Sequence, residues 1–141
     1  MTSPDLFYVF VYGTLKRGFP NHDESLLGKF YCGACESREP FPLVVAGPYF
    51  SPVLINEKGS GERVQGELYH VDQQTLKRLD EMEGVGREGG YYRFKIDVEL
   101  NGASLVSAFA YAKYRENMGT IHSGPFESYR IDVRYVHPID R

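Results

Sequence analysis

What the chain lacks narrows its possibilities quickly. No apolar run approaches the ~20 residues that cross a bilayer as a helix, so no stretch predicts a transmembrane segment. Neither sign of charge dominates: 16 Lys and Arg against 19 Asp and Glu leave a net charge of −3, with both signs mixed along the chain. That balance argues against a nucleic-acid groove or a polybasic membrane patch, and the pair Lys16-Arg17 is too small to change it. Met1 to Asp5 lack the basic start and apolar core of a signal peptide. Low-complexity tracts, internal repeats and domain linkers are all missing. With 42% hydrophobic residues in 141 positions, residues 1–141 are expected to form a single domain with a real core, soluble and cytoplasmic.

Cysteine is scarce: Cys32 and Cys35 are the only two. A redox Cys-x-x-Cys wants its first cysteine at a helix N-terminus, which lowers the thiol pKa. Here the flanks, Phe30-Tyr31 and Glu36-Ser37-Arg38-Glu39-Pro40, do not read as helix. If residues 30–36 are a strand, positions three apart face opposite sides and the two sulfurs diverge. No second cysteine pair completes a zinc site, and no metal or other cofactor is expected.

Nucleotide motifs are missing too, despite two glycine patterns that imitate them. Gly13 to Gly18 are spaced like a P-loop, but Phe19-Pro20 stand where Lys and Ser/Thr are required. Gly84-Val85-Gly86-Arg87-Glu88-Gly89 matches the dinucleotide fingerprint literally, yet it follows a helix and precedes a strand, the reverse of the needed order. The histidines at 22, 70, 122 and 137 show no ligand spacing, and His22 in a polar helix start reads as a capping or surface residue. No serine sits at a nucleophile elbow, so a Ser/His/Asp triad cannot be assembled.

What is present is mostly strand. Phe7 to Val11 is an unbroken apolar run of β-branched and aromatic residues, the pattern of a strand buried on both faces. A short helix is expected over Asn21 to Leu27, capped by Asn21 and ended by Gly28. Further strands are expected at Phe30–Cys35, Leu43–Val45, Val53–Asn56, Val64–Val71, Tyr91–Leu100 and Leu105–Tyr114. Asn101-Gly102 supplies the hairpin turn between the last two. The clearest helix is Gln73 to Met82, with Asp72 as its cap and Gly84 as its stop. Arg115 to Arg141 is polar with scattered aromatics, and its pattern assigns no element. Short strands at close spacing with one clear helix predict an α+β domain with a closed or nearly closed sheet. The pattern alone does not choose a barrel over a sandwich.

Two places carry chemistry. After the first strand, Tyr12-Gly13-Thr14-Leu15 breaks away at a glycine, which frees the backbone to leave the strand at an angle a side chain would forbid. The amides of Gly13, Thr14 and Leu15 are then placed to converge on an anion. On the later helix, Leu76, Leu79 and Glu83 share one face, whereas Lys77, Arg78, Asp80 and Glu81 lie mostly toward water. A carboxylate aligned with leucines should point inward. Burial and the negative end of the helix dipole both raise its pKa, which suits proton exchange near neutrality. The alternative is a side chain that frays into solvent at the helix end. Tyr92 and Tyr111, each in a strand, are further candidates to bring a hydroxyl to the pocket. The glycine-rich stretch from Gly84 to Gly90 reads as a loop beside Glu83, either a lid or a plain connection.

Tyr-Gly-Thr-Leu after an apolar first strand resembles the opening signature of the γ-glutamyl cyclotransferase superfamily. Gly18-Phe19-Pro20-Asn21-His22, Glu39-Pro40-Phe41-Pro42-Leu43-Val44-Val45-Ala46-Gly47, Gly59-Ser60-Gly61, Val64-Gln65-Gly66-Glu67-Leu68-Tyr69 and Leu79-Asp80-Glu81-Met82-Glu83-Gly84 follow in the family's order. They resemble most the γ-glutamylamine cyclotransferases and the plant avirulence-induced proteins. The match covers residues 7 to about 94 and loosens in the tail, from about 115. It implies a small mixed β-barrel with short flanking helices and an enzyme that cyclises a γ-glutamyl group to 5-oxoproline with release of the amine. It places the catalytic glutamate at Glu83, not Glu81, and the glutamyl-binding loop at Tyr12, Gly13, Thr14 and Leu15, with Tyr92 and Tyr111 in second rank. No metal, nucleotide or covalent enzyme intermediate is needed for that reaction. The expected partner is a small γ-glutamyl substrate, with no nucleic acid, no membrane and a monomeric chain. Two other readings compete. One is a relative that acts on γ-glutamyl amino acids or glutathione, or that binds without catalysis. The other is a partner-binding β-domain exposing Phe126, Tyr129 and Tyr135.

Overall fold

The computed structural model describes residues 6–141. Strand β1 (Leu6–Val11) is buried over its second half, with apolar residues on both faces. Phe10, and Tyr12 just beyond the strand, enter one core cluster, while Val9 and Val11 enter another on the opposite face, as the two-residue period of a strand dictates. Strand β1 pairs antiparallel with β5 (Glu62–Asp72) and meets β7 (Ser104–Ala112) in parallel at Val9 and Phe109. Strand β5 also pairs with β2 (Tyr31–Phe41), β2 with β6 (Tyr92–Leu100), and β6 with β7. The result is a closed five-stranded barrel in the order β1-β5-β2-β6-β7. Closure removes the free sheet edges, and the one parallel seam makes the barrel mixed.

A second, three-stranded sheet, β4-β3-β8, uses β3 (Leu43–Ala46), β4 (Ser51–Leu54) and β8 (Ile121–Ser123). The hairpin between β6 and β7 turns through Asn101, Gly102 and Ala103; Asn101 and Gly102 take left-handed φ values of 53° and 73°, and the amide of Ala103 closes the turn on the carbonyl of Leu100 at 3.1 Å. None of the described helices is long and apolar enough to cross a membrane.

Three local expectations need correction. The first helix, α1, spans only Glu24–Leu27, and its cap is Asp23, whose carboxylate accepts from the amides of Ser25 and Leu26. Asn21 is used elsewhere; the α-helix does end at Leu27 with Gly28 as its C-cap, and Gly28 then opens a 3₁₀ turn. Strand β2 runs on to Phe41 because Glu36 and Ser37 still pair with β6, while Pro40 is tolerated beyond an irregularity in the β5 ladder. The same strand carries a bulge between Tyr31 and Gly33, where Gly33 adopts a φ of 135°. The extra residue restores the phase of the side chains. Cys32 and Cys35 therefore both turn toward the barrel core instead of diverging, and both are free thiols. Burial pushes the Cys35 thiol up to about 12, which makes it inert rather than nucleophilic.

Helix α2 (Gln73–Glu83) lies where the sequence places it, one residue longer. The Asp72 carboxylate accepts from the amide of Thr75 at 2.8 Å. Leu76 and Leu79 are buried against Val9, Val11 and Val71. Gly84, at φ 71°, ends the helix with its amide on the carbonyls of Asp80 and Glu81, and the amide of Val85 returns to the carbonyl of Asp80 at 3.0 Å. This paired closure needs a left-handed residue, and it fixes the last helical residue, Glu83.

Candidate active site

The end of α2, the loop after β1 and the end of β7 converge on a cavity of about 890 Å³. Its walls include Tyr12, Gly13, Thr14, Leu15, Glu83 and Tyr111. Two stretches of chain that are distant in sequence thus meet as the leucine face of α2 and the strand break at Gly13 predicted. Glu83 is partly open to the cavity and crowded by protein elsewhere. Loss of hydration lifts its carboxyl to about 7, against the opposing pull of the Lys113 and Arg141 charges.

The loop supplies donors. The amide of Lys16 donates to the carbonyl of Gly13 at 3.1 Å, and the amide of Asn21 to that of Thr14 at 2.9 Å. The amides of Gly13, Thr14 and Leu15 find no acceptor among the described residues, although Thr14 and Leu15 are buried. Buried N–H groups are rarely left unpaired, so a cluster of them facing a cavity is a ready anion site. Gly13 is required for a reason other than the one the sequence suggests. Its φ is not in the left-handed region, but a Cβ there would lie 2.7 Å from Cγ of Pro52. The strand simply leaves no room for a side chain.

The tyrosines have distinct roles. Tyr12 donates its hydroxyl to the carbonyl of Tyr111 at 2.7 Å and accepts from the amide of Leu54 at 3.1 Å. It ties the second sheet to the barrel beneath the loop. Tyr111 donates to Asp80 at 2.7 Å, and the other oxygen of Asp80 meets Arg93 at 2.7 Å. Asp80 is therefore a supporting partner behind the site rather than a solvent-facing residue. Tyr92 does not line the cavity: it stacks on Tyr114 with ring centroids 4.7 Å apart. Its neighbour Tyr91 lines the cavity instead, with its hydroxyl on the carbonyl of Pro52 at 2.6 Å. Adjacent strand residues face opposite sides, so the choice between them turns on a single step of register.

Several lining residues escaped the sequence reading. Lys113 reaches the cavity one position beyond β7, its ammonium 3.0 Å from the carbonyl of Gly89 and 4.6 Å from the Tyr91 ring centroid. Its burial lowers its proton affinity, while Glu83 raises it. His22, expected as a capping or surface residue, instead lines the cavity with its side chain largely buried, Nδ1 2.9 Å from the carbonyl of Leu15 and Nε2 2.8 Å from Glu24. From the C-terminal segment come Tyr135, His137 and Arg141, which no local pattern in that polar stretch distinguishes. Residues 84–90 close into a loop at their neck, where the amide of Tyr91 donates to the carbonyl of Glu83 at 3.0 Å.

The chain that carries this cavity has known relatives. Residues 9–128 match the family described as γ-glutamyl cyclotransferase, AIG2-like. The chain belongs to that family. It is 37% identical to γ-glutamylaminecyclotransferase C of Danio rerio over 131 residues, which cover 86% of this chain and 85% of that protein. It is 45% identical to the γ-glutamylaminecyclotransferase of Bos taurus over 98 residues, 67% of this chain and 57% of that one. The crystal structure of an aig2-like protein from Mus musculus superposes with a TM-score of 0.71 at 36% identity, covering 89% of this chain and 88% of that chain. The barrel with short flanking helices is thus the fold of the AIG2-like γ-glutamyl cyclotransferases, and the chain is an enzyme of that family.

Proposed function

We propose that this enzyme is a γ-glutamylamine cyclotransferase with Glu83 as its proton-exchanging group. One observation carries the reading: a carboxyl that titrates near neutrality shares a cavity with Gly13, Thr14 and Leu15, whose amides find no acceptor among the described residues. The substrate's α-carboxylate, or the oxyanion that develops on the γ-carbonyl, takes the amides of Gly13, Thr14 and Leu15. The α-nitrogen attacks the γ-carbonyl carbon. A carbon–nitrogen bond forms to close the five-membered lactam, and the bond from that carbon to the amine breaks. The α-ammonium gives up two protons on the way to a lactam N–H, and the leaving nitrogen gains two to depart as an ammonium. Glu83 relays them in turn. Nucleophile and electrophile are tethered, so positioning removes much of the entropic barrier, and atoms and charge balance without a co-reactant.

The names of the relatives in fish and cattle support the amine class. The aromatics weigh against the partner-binding reading, because Tyr129 is buried and Phe126 and Tyr135 are partly so. Release of 5-oxoproline, followed by chromatography, should occur with γ-glutamyl-ε-lysine and other γ-glutamyl amines and exceed that from γ-glutamyl amino acids and glutathione. Preference for glutathione would move the enzyme to the other branch of substrates. No release from any of them would leave a binding protein.

A further inference from the structure

The cavity is larger than a glutamyl group needs, and its far wall is built by the C-terminal segment. Val136 donates its amide to the carbonyl of Tyr49 at 3.0 Å. Arg141 donates through Nε to the carbonyl of Val136 at 3.1 Å and places its guanidinium 4.2 Å from the Tyr49 ring centroid and 5.8 Å from that of Tyr135. Tyr49, Tyr135 and Arg141 all line the cavity. Their rings and the Arg141 stem offer a flat, amphipathic surface of the kind that takes an alkyl chain.

This wall is joined to the loop through the side chain of Asn21. Nδ2 of Asn21 lies 2.7 Å from Oγ1 of Thr14 and 2.9 Å from the hydroxyl of Tyr135. Both hydrogens of that amide are used, one on the loop and one on the C-terminal segment, and the backbone amide of Asn21 also holds the carbonyl of Thr14. Since the Tyr135 oxygen accepts, its own O–H remains to point elsewhere.

We propose that Asn21 and Tyr135 act as positioning residues, a strut through which a long leaving amine seated on the C-terminal wall steadies the Gly13–Leu15 loop, so that the enzyme favours long γ-glutamyl amines over short ones. The proposal rests on the cyclotransferase reading above. An amine chain that lies on Tyr135 and Arg141 loads the strut; ammonia or methylamine does not reach them. Contact made far from the reacting carbon is thereby used at it, which raises kcat as well as tightening binding.

The test compares γ-glutamyl-ε-lysine, γ-glutamylmethylamide and glutamine as substrates of the full chain. The wild type should prefer the first by at least an order of magnitude in kcat/KM. Tyr135→Phe keeps the ring and removes the acceptor, about the loss of one hydrogen bond. It should lower kcat/KM about tenfold more for γ-glutamyl-ε-lysine than for glutamine, with the selective loss in kcat. Asn21→Ser, which removes the bridging amide, should produce the same loss of selectivity, and the double variant should lose no more than either alone. Equal losses on all three substrates, a selective loss wholly in KM, or unchanged selectivity in both variants would overturn the strut. A wild type that releases 5-oxoproline from none of the three overturns the cyclotransferase reading itself, and the strut with it.

Discussion

On one side of the cavity, the loop from Gly13 to Leu15 and the carboxyl of Glu83 are fixed by backbone hydrogen bonds, a closed helix end and the buried core under α2. On the other side, Tyr49, Tyr135 and Arg141 are held by side chains laid on one another, by the Asn21 amide and by single bonds to the backbone of Tyr49 and Val136. The first wall grows out of the barrel, so its geometry is tied to the stability of the whole fold. The second is attached to it through a few individually weak contacts. On the proposed mechanism the difference separates tasks: a reacting group must be held rigidly, while a wall proposed to seat the leaving amine can change without unfolding the protein. Damage to the first wall should therefore abolish chemistry, and damage to the second should redistribute it among substrates.

The largest expected effect lies in the first wall. Glu83→Gln should reduce turnover by roughly two to four orders of magnitude, the usual worth of a positioned acid–base group, while 5-oxoproline still binds in a calorimetric titration because the loop amides remain. The same substitution has a signature in stability. The folded-state carboxyl titrates at about 7 against an ordinary 4.5. Its contribution is therefore fully present below about 4.5 and lost as pH rises through about 7. Denaturant unfolding should show Glu83→Gln gaining on the wild type between those limits.

Gly13→Ala comes next. The added methyl meets Pro52, and relief requires the loop or β4 to shift. We expect a loss of about 1–3 kcal/mol in unfolding free energy and a fall of about tenfold or more in kcat/KM from the misplaced amides. If the variant matched the wild type in both, the loop would be looser than the barrel that carries it, and the contrast between the walls would fail.

Lys113→Met should act more gently. Glu83 is faced by Tyr12 from the loop after β1, by Tyr91, by Tyr111 and Lys113 at the end of β7, and by Arg141 from the C-terminal segment. Lys113 and Arg141 are the cations among them, and each favours the carboxylate. Removing Lys113 disfavours the charged base, so the acid limb of the kcat/KM profile should move to higher pH, whereas Lys113→Arg should leave it near its original place. Glu81→Gln should do least. Its carboxylate is half-exposed and meets Arg78 at 3.6 Å, and turnover should stay within about twofold, as expected of an exposed ion pair.

The first wall was legible in the sequence because its signals are local. The apolar run through Val9 and Val11, the leucines of α2, the Asp72 cap and the Gly84 stop each act within a few residues, and they bring Glu83 and Gly13 to one cavity. Sequence pattern and structure part where a single residue of register decides the outcome. The bulge at Gly33 turned Cys32 back toward the core, and one step along the chain separates Tyr91, which lines the cavity, from Tyr92, which does not. Asn21 looked like a cap because its type suits one, yet its amide joins Thr14 to Tyr135, 114 positions away. The second wall was not legible at all. Its residues are brought together by contacts between segments far apart in sequence, and stacked side chains leave no periodicity to read.

The most direct measurement is the titration of Glu83 itself. Carbon-13 NMR of the glutamate side-chain carboxyls, with Glu83→Gln to identify the resonance, follows that one group across pH. A proton-exchanging role for Glu83 predicts a carboxyl that titrates near 7 and disappears in the variant. A Glu83 resonance that titrates in the ordinary glutamate range near 4.5 would contradict it, because the cavity would then hold a solvated charge instead of a group poised to exchange protons.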